Sequence, residues 1–166
     1  MRRVLWLIVA AAVAVPAVAR AQAHPDFAGT WTLDQAKSDP PPQRGGGGGG
    51  GGGGRGGGGG GRGGGPVAIM MMPTGLMIGD VTYKLDGSEQ TVQLPGRGGP
   101  QPAKVKARWD DSGKKLLIET TREVNGNSVT TKEERSLSAD GKEMTVETTT
   151  TTPNGHQKLK TVFTKS

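Results

Sequence analysis

The sequence predicts an all-β protein, an antiparallel up-and-down meander of eight or nine strands, and three observations predict it. Apolar and polar residues alternate with a period of two through most segments between residues 67 and 164. Turn pairs ending in glycine, Asp86-Gly87, Asn125-Gly126, Asp140-Gly141 and Asn154-Gly155, separate those segments. No stretch beyond residue 23 repeats its apolar residues at helical spacing over a useful length.

Taken in order, strands are expected near 27–33, 67–72, 76–85, 90–94, 104–109, 115–124, 128–138, 142–152 and 156–164. Val81, Tyr83 and Leu85 face one way while Thr82 and Lys84 face the other. Val105, Ala107 and Trp109 alternate with Lys104, Lys106 and Arg108. Leu116, Ile118, Thr120 and Val124 share a face, as do Met144, Val146 and Thr148; the last strand carries Leu159 and Phe163. A Pro/Gly-rich loop is expected over 95–102, and Asp110-Asp111-Ser112-Gly113 reads as a turn. Connections this short require antiparallel neighbours. A meander leaves two exposed edges unless it closes, and closure into a barrel removes both. The alternative is an open sandwich of two sheets. An outer-membrane barrel needs outward apolar residues at nearly every second position, whereas the polar faces here carry Lys, Glu and Arg.

Ahead of the strands stands an expected export signal. Arg2 and Arg3 form a basic start, and Val4 to Ala19 is an apolar run interrupted by Pro16. That run is about 16 residues, short of the roughly 20 that span a bilayer as a helix. Ala21-Gln22-Ala23 offers small residues for cleavage, which makes His24 the new first residue and places the product in the periplasm or outside the cell. The net charge of +6 comes from 21 basic and 15 acidic residues. Half of it belongs to Arg2, Arg3 and Arg20 in the leader, so the charge does not argue for nucleic acid. There is no cysteine, which excludes lipid attachment through a lipoprotein cysteine, disulfides, zinc-thiolate sites and thiol nucleophiles.

The expected organisation is a signal peptide over 1–23, a first strand region over 24–38, a Pro/Gly-rich linker over 39–66 and the rest of the β domain over 67–166. The glycine tract, interrupted by Arg55 and Arg62, offers no side chains to bury and loses the most backbone entropy on ordering. It reads as a disordered loop between strands, tolerable because closure cost grows only logarithmically with length. Arg44, Arg55 and Arg62, each followed by two glycines, mimic RNA-binding segments, but such segments also stack bases on aromatic rings and the tract has none. The flexible-linker reading prevails.

A resemblance runs through the same residues. Gly29-Thr30-Trp31 on the first strand resembles the Gly-x-Trp opening of lipocalins and the wider calycin group. The fuller pattern is similar to a class of small bacterial exported proteins with a lipocalin-like domain. It comprises Gly29-Thr30-Trp31 with Ala36-Lys37-Ser38, Tyr83-Lys84-Leu85-Asp86-Gly87, Arg108-Trp109-Asp110, Leu116-Leu117-Ile118-Glu119-Thr120, Ser136-Leu137-Ser138 and Asp140-Gly141-Lys142. The likeness covers most of 26–165 apart from the glycine tract. It implies an eight-stranded barrel whose narrow end is closed by Trp31 beside Gly29, with a basic residue of the last strand (Lys158, Lys160 or Lys165) packed over the ring. The chain departs from true lipocalins in having no Thr-Asp-Tyr motif, no disulfide and no C-terminal helix. The resemblance carries a fold and brings no ligand with it.

The leading functional expectation is a non-enzymatic binding module whose barrel holds a small apolar or amphipathic ligand. Its lining is expected from Tyr83, Leu85, Trp109, Leu116, Ile118, Met144, Val146 and Phe163. The same residues can simply fill the interior, because a barrel of about eight strands is barely wide enough for a ligand. The alternative is a structural or interaction protein of the envelope with a solid barrel and a glycine-rich tether.

Other residues carry narrower readings. Trp31 and Trp109 are expected at the core or barrel end, with a ligand-stacking wall as the alternative. Glu133 and Arg135 share the face of Val129 and Leu137; inward, they suggest a polar or anionic ligand. Because an isolated buried charge is very costly, the favoured expectation is a bulge near 132–134 that turns them to solvent. His24, with its freed amine and His156, offers a copper site, since imidazole suits copper. A fraying terminus is the ordinary state of such a residue. Met70, Met71, Met72 and Met77 offer thioethers to Cu(I), against the commoner role of adaptable core filling. No Gly-x-Ser-x-Gly or serine–histidine–acid arrangement stands out. No cofactor, no bound metal and no nucleic-acid partner is expected.

Overall fold

The protein is described by a computed structural model over residues 24–40, 65–96, 99–124 and 126–166. The expected leader over 1–23, nearly all of the glycine tract with Arg44, Arg55 and Arg62, and Asn125 of the Asn125-Gly126 turn lie outside the described residues. Those residues form ten strands and no helix. They are β1 (Gly29–Leu33), β2 (Val67–Met72), β3 (Gly75–Ile78), β4 (Val81–Lys84), β5 (Gln90–Gly96), β6 (Gly99–Trp109), β7 (Leu116–Val124), β8 (Asn127–Leu137), β9 (Glu143–Thr152) and β10 (Gly155–Lys165). No helix among the described residues is long and apolar enough to cross a membrane.

All ten join one antiparallel sheet in the order β4-β3-β2-β1-β10-β9-β8-β7-β6-β5. The meander is thus continuous except where β10 returns to pair with β1, Trp31 opposite Lys165 and Leu33 opposite Phe163. The two ends of the sheet approach each other, giving a nearly closed barrel compatible with the lipocalin-like expectation. The open sandwich is not formed. Closure is thin. Asp86 bridges Arg108, and Gly87 N donates to Ala107 O at 2.9 Å. The Gln90 side chain completes the seam: its Nε2 donates to Thr82 O at 3.2 Å and its Oε1 accepts from Lys84 N at 3.4 Å. One amide side chain thereby replaces a missing stretch of ladder between β4 and β5.

Two strand expectations change. The segment expected as one strand over 76–85 is two, β3 and β4, hinged at Gly79-Asp80. Gly79 adopts φ +58°, a left-handed conformation that glycine reaches without a Cβ penalty. This adds the tenth strand. The Pro/Gly-rich loop expected over 95–102 is instead the end of a hairpin, with Pro95 opposite Pro100 and Gly96 opposite Gly99. Proline is tolerated there because the strands are edges: β5 ends the sheet order, and β7 pairs with β6 only from Lys104 onward.

The strands are unequal, and this positions the interior. The strands from β6 to β10 run 9 to 11 residues, while β1 to β4 run 4 to 6. Both sets meet at one end. There Phe27, Trp31, Ile69, Leu76, Tyr83, Ala107, Leu116, Met144 and Phe163 pack into one buried cluster. At the other end the paired strand ends Gly96 and Gly99, Val124 and Asn127, and Thr152 and Gly155 lie beyond the short strands. Because the seam depends on Gln90, a Gln90→Leu variant is expected to lose about 1 kcal/mol. Amide exchange should accelerate at Val81–Lys84 and leave the β8–β9 ladder unchanged; uniform acceleration would refute a seam-local role.

Candidate functional site

The closed end is built first by the chain entering β1. Asp26 Oδ1 accepts from Ala28 N at 2.9 Å, a local turn that drives the Phe27 ring, which has no exposed surface, into the barrel. Phe27 O then accepts the Trp31 indole N–H at 2.9 Å, so a fully buried polar atom is satisfied inside the apolar plug. Lys165 is the basic residue that packs over Trp31, its Nζ 5.4 Å from the ring centroid. Gly29 makes that approach possible: a Cβ there would stand 2.5 Å from Lys165 Cε, and its φ of +139° disfavours any side chain. Lys158 and Lys160 lie further along β10 and do not reach the ring.

His24 is anchored to the same end. Its ring stacks on Trp109 at 4.3 Å between centroids and 1° between planes, and Phe27 also meets Trp109, tilted at 38° with 5.9 Å between centroids. His24 Nδ1 is 3.0 Å from Gly113 O. Residues 24 to 28 thus form a strap held against this end. The two histidines of the alternative copper reading are not brought together. Nδ1 is engaged by a carbonyl, and His156 sits on the 152–155 hairpin at the opposite end of β10. Nine residues of strand separate it from Lys165, about 30 Å at roughly 3.3 Å per residue.

Above the plug lies the main surprise. Glu133 and Arg135 point inward, at 7% and 1% exposure. The bulge expected near 132–134 is absent: β8 pairs without interruption, Arg135 between Leu116 and Val146, and Glu133 between Ile118 and Thr148. An unbroken two-residue period puts both charges on the face of Leu137. Arg135 Nη2 and Nε both donate to Glu133 Oε2, at 2.7 and 3.2 Å. That mutual neutralisation removes the isolated buried charge on which the bulge argument rested. Tyr83 on β4 joins them. Its hydroxyl pKa is pushed up to about 12, first by burial and then by the nearby Glu133 charge, with Arg135 opposing. Among the described residues, no fully buried side-chain nitrogen or oxygen lacks a hydrogen-bond partner.

The eight expected lining residues come together. Tyr83, Leu116, Ile118, Met144, Val146 and Phe163 belong to the buried cluster, and Leu85 and Trp109 pack against it half-buried. Two clefts lie elsewhere on the surface. One, of about 600 Å³, runs along the closed end past Pro25, Asp26, Ser138 and Lys165. The other, of about 400 Å³, lies on the outer side by Asp39, Lys132, Glu147 and Lys158. Toward the projecting hairpins, the inner face beyond the charged pair is lined by half-buried threonines: Thr120, Thr131 and Thr150 in one cross-strand row, with Thr148 beside Glu133. The alternation that sets Thr148 on the face of Met144 and Val146 continues inward through Thr150 and Thr152.

The methionines divide by the same alternation. Met71 packs against the core, but Met70 and Met72 are 52% and 38% exposed, so core filling does not account for them. Comparison with family models, with curated proteins and with solved structures returned no match.

Tyr83 is the only tyrosine of the chain, so phenolate absorbance reports on it alone. The midpoint is expected near 12 in the folded protein, against about 10 unfolded. Because the folded pKa is raised, the folded state holds the proton longer. Its stability is intact below about pH 10 and falls by roughly 1.4 kcal/mol per pH unit up to the folded midpoint. A Glu133→Gln variant should lower that midpoint and Arg135→Met should raise it. A midpoint near 10 in all three would refute the cluster.

Proposed function

We propose that the protein is an exported, non-enzymatic binding module of lipocalin-like type for a small amphipathic molecule. The apolar part of the ligand packs among Leu116, Ile118, Met144 and Val146, and its polar end meets Arg135, Glu133 and Tyr83. The observation that carries this reading is the inward charged pair. A buried ion pair adds little to stability, and replacing one with apolar residues of similar volume is often neutral or stabilising. A barrel that only had to be solid gains nothing from keeping Glu133 and Arg135 inside, whereas a barrel that orients a ligand needs a few placed polar groups on an apolar wall. The threonine-lined inner face toward the projecting hairpins is the side from which a ligand enters, since Phe27, Trp31 and Lys165 occupy the other end. Export is supported by the basic and apolar leader with Ala21-Gln22-Ala23, and by the likeness of Gly29-Thr30-Trp31 and the later motifs to exported lipocalin-like proteins.

The second reading is a structural or interaction protein of the envelope with a filled barrel. It is favoured by one observation: the eight candidate lining residues pack against one another.

The two readings part on ligand uptake. A naphthalenesulfonate dye that brightens in apolar surroundings is expected to titrate to one equivalent with the wild-type protein. An Arg135→Met/Glu133→Leu double variant, unfolding at the same or a higher denaturant midpoint, should bind it about tenfold more weakly or worse. A dark dye, together with an unfolding midpoint unmoved by long-chain carboxylates and amines, would sink the carrier reading in favour of the filled barrel. Export is checked by N-terminal sequencing of the protein from the extracytoplasmic fraction, which should begin at His24.

A further inference from the structure

The chain has six methionines, and four of them fall at 70, 71, 72 and 77. The β2–β3 hairpin sorts these four by face. Met71 lies opposite Leu76 and points inward with it, half-buried against the core. Met70 lies directly opposite Met77, and Met72 is the next residue of β2 on that same outer face. Three thioether side chains therefore share one outward facet. Cross-strand partners have Cβ atoms about 4.5–5.5 Å apart, and next-but-one residues on a strand stand about 6.6 Å apart. Methionine has three rotatable bonds beyond its Cα, so three sulfurs on such a triangle can reach a common point.

Their surroundings keep that point open. Met72 faces Gly75, so no side chain stands directly across the hairpin from it; beyond, on the outer face of β4, Thr82 flanks Met77 and the exposed Lys84 stands past Gly75, its long flexible stem free to carry the ammonium into solvent. No carboxylate, histidine or cysteine occurs anywhere in β2, β3 or β4, whose sequences are VAIMMM, GLMI and VTYK. Packing gives no account of the facet. Met70 and Met72 are two of the three most exposed large apolar side chains among the described residues, and each would be better buried or replaced by a polar residue if stability alone were at stake.

We propose that Met70, Met72 and Met77 form a binding site for a soft monovalent cation of the Cu(I) or Ag(I) type. The chemistry of the donor set makes the choice. Thioethers are soft ligands that suit Cu(I), whereas magnesium, calcium and manganese prefer oxygen, and protein zinc is held by thiolate, imidazole or carboxylate. A trigonal set of neutral sulfurs leaves the ion its charge, and no anion on these strands competes for it. Thioethers do not take up a proton in the ordinary pH range, so binding is flat with pH. A site built on imidazole would instead weaken in acid, where a histidine ligand takes up a proton.

The test is a titration of the protein, labelled with ¹³C at its methionine methyl groups, with Ag(I), and with Cu(I) under ascorbate. The methyl signals of Met70, Met72 and Met77 are expected to shift together and saturate at one equivalent, while those of Met71 and Met144 stay in place. Affinity should be unchanged between about pH 5.5 and pH 7.5, a range across which a histidine site would change. The Met70→Leu/Met72→Leu/Met77→Leu variant should lose at least about tenfold in affinity with its unfolding midpoint unchanged, since the replaced side chains lie on the outer face. Absence of a shift in the wild-type protein, movement at Met71 or Met144 instead, affinity that falls with acid, or a triple variant that binds as tightly would each overturn the assignment.

Discussion

Closure of the barrel depends on the seam where β4 meets the β5–β6 hairpin. Along β7 to β10 the ladders run for eight or more residues each, and these strands form a stiff curved wall. The short strands β1 to β4 hang from that wall through three register pairs between β1 and β10. Among the described residues, their free side is fastened by the Asp86–Arg108 β-bridge, which includes the Gly87–Ala107 bond, and by the two bonds of the Gln90 amide. Tyr83 sits on the last of these strands, and the pair it faces sits on β8 in the wall. Its distance from Glu133 and Arg135 is thus set by the most weakly bonded junction of the molecule, which is also the natural place for local opening.

The closed end compensates. Phe27, Trp31, Trp109, Gly29 and Lys165 interlock there, and the strap from His24 to Ala28 adds a ring stack and an indole hydrogen bond. Truncating a buried tryptophan typically costs about 3–5 kcal/mol, several times what one seam hydrogen bond contributes. The short strands are held at their base by packing and at their side by a few polar contacts. Such a division lets one end stay rigid while the other adjusts.

Much of this architecture was legible in the sequence. Alternation and Gly-terminated turns gave the order of β6 to β10, and the faces of all of them but β8, to within a few residues, because those strands are half-buried and a one-residue slip would reverse every side chain. Gly29-Thr30-Trp31 gave the plug, and the resemblance gave a lysine over it, although only the register of β10 selects Lys165. Three features were hidden for physical reasons. Gly79-Asp80 looked like part of one strand because Ile78 and Val81 continue the apolar run across it. Pro95 and Pro100 looked like a loop because their tolerance depends on the absence of neighbouring strands, which is a property of sheet order. The inward Glu133 and Arg135 were read outward because burial cost was assessed one charge at a time, and the period that places them two apart on one face also lets them neutralise each other.

The unequal strands have a consequence for how such a protein can change over generations. The connections from β5 to β6, β7 to β8 and β9 to β10 all fall at the same end, clear of the buried cluster. Lengthening one adds closure entropy of only about 0.6 kcal/mol per doubling and leaves every inner register intact. Descendants of this chain are free to lengthen and recolour that rim while inheriting the plugged base unaltered, so sequence diversity can accumulate at one pole without renegotiating the fold at the other.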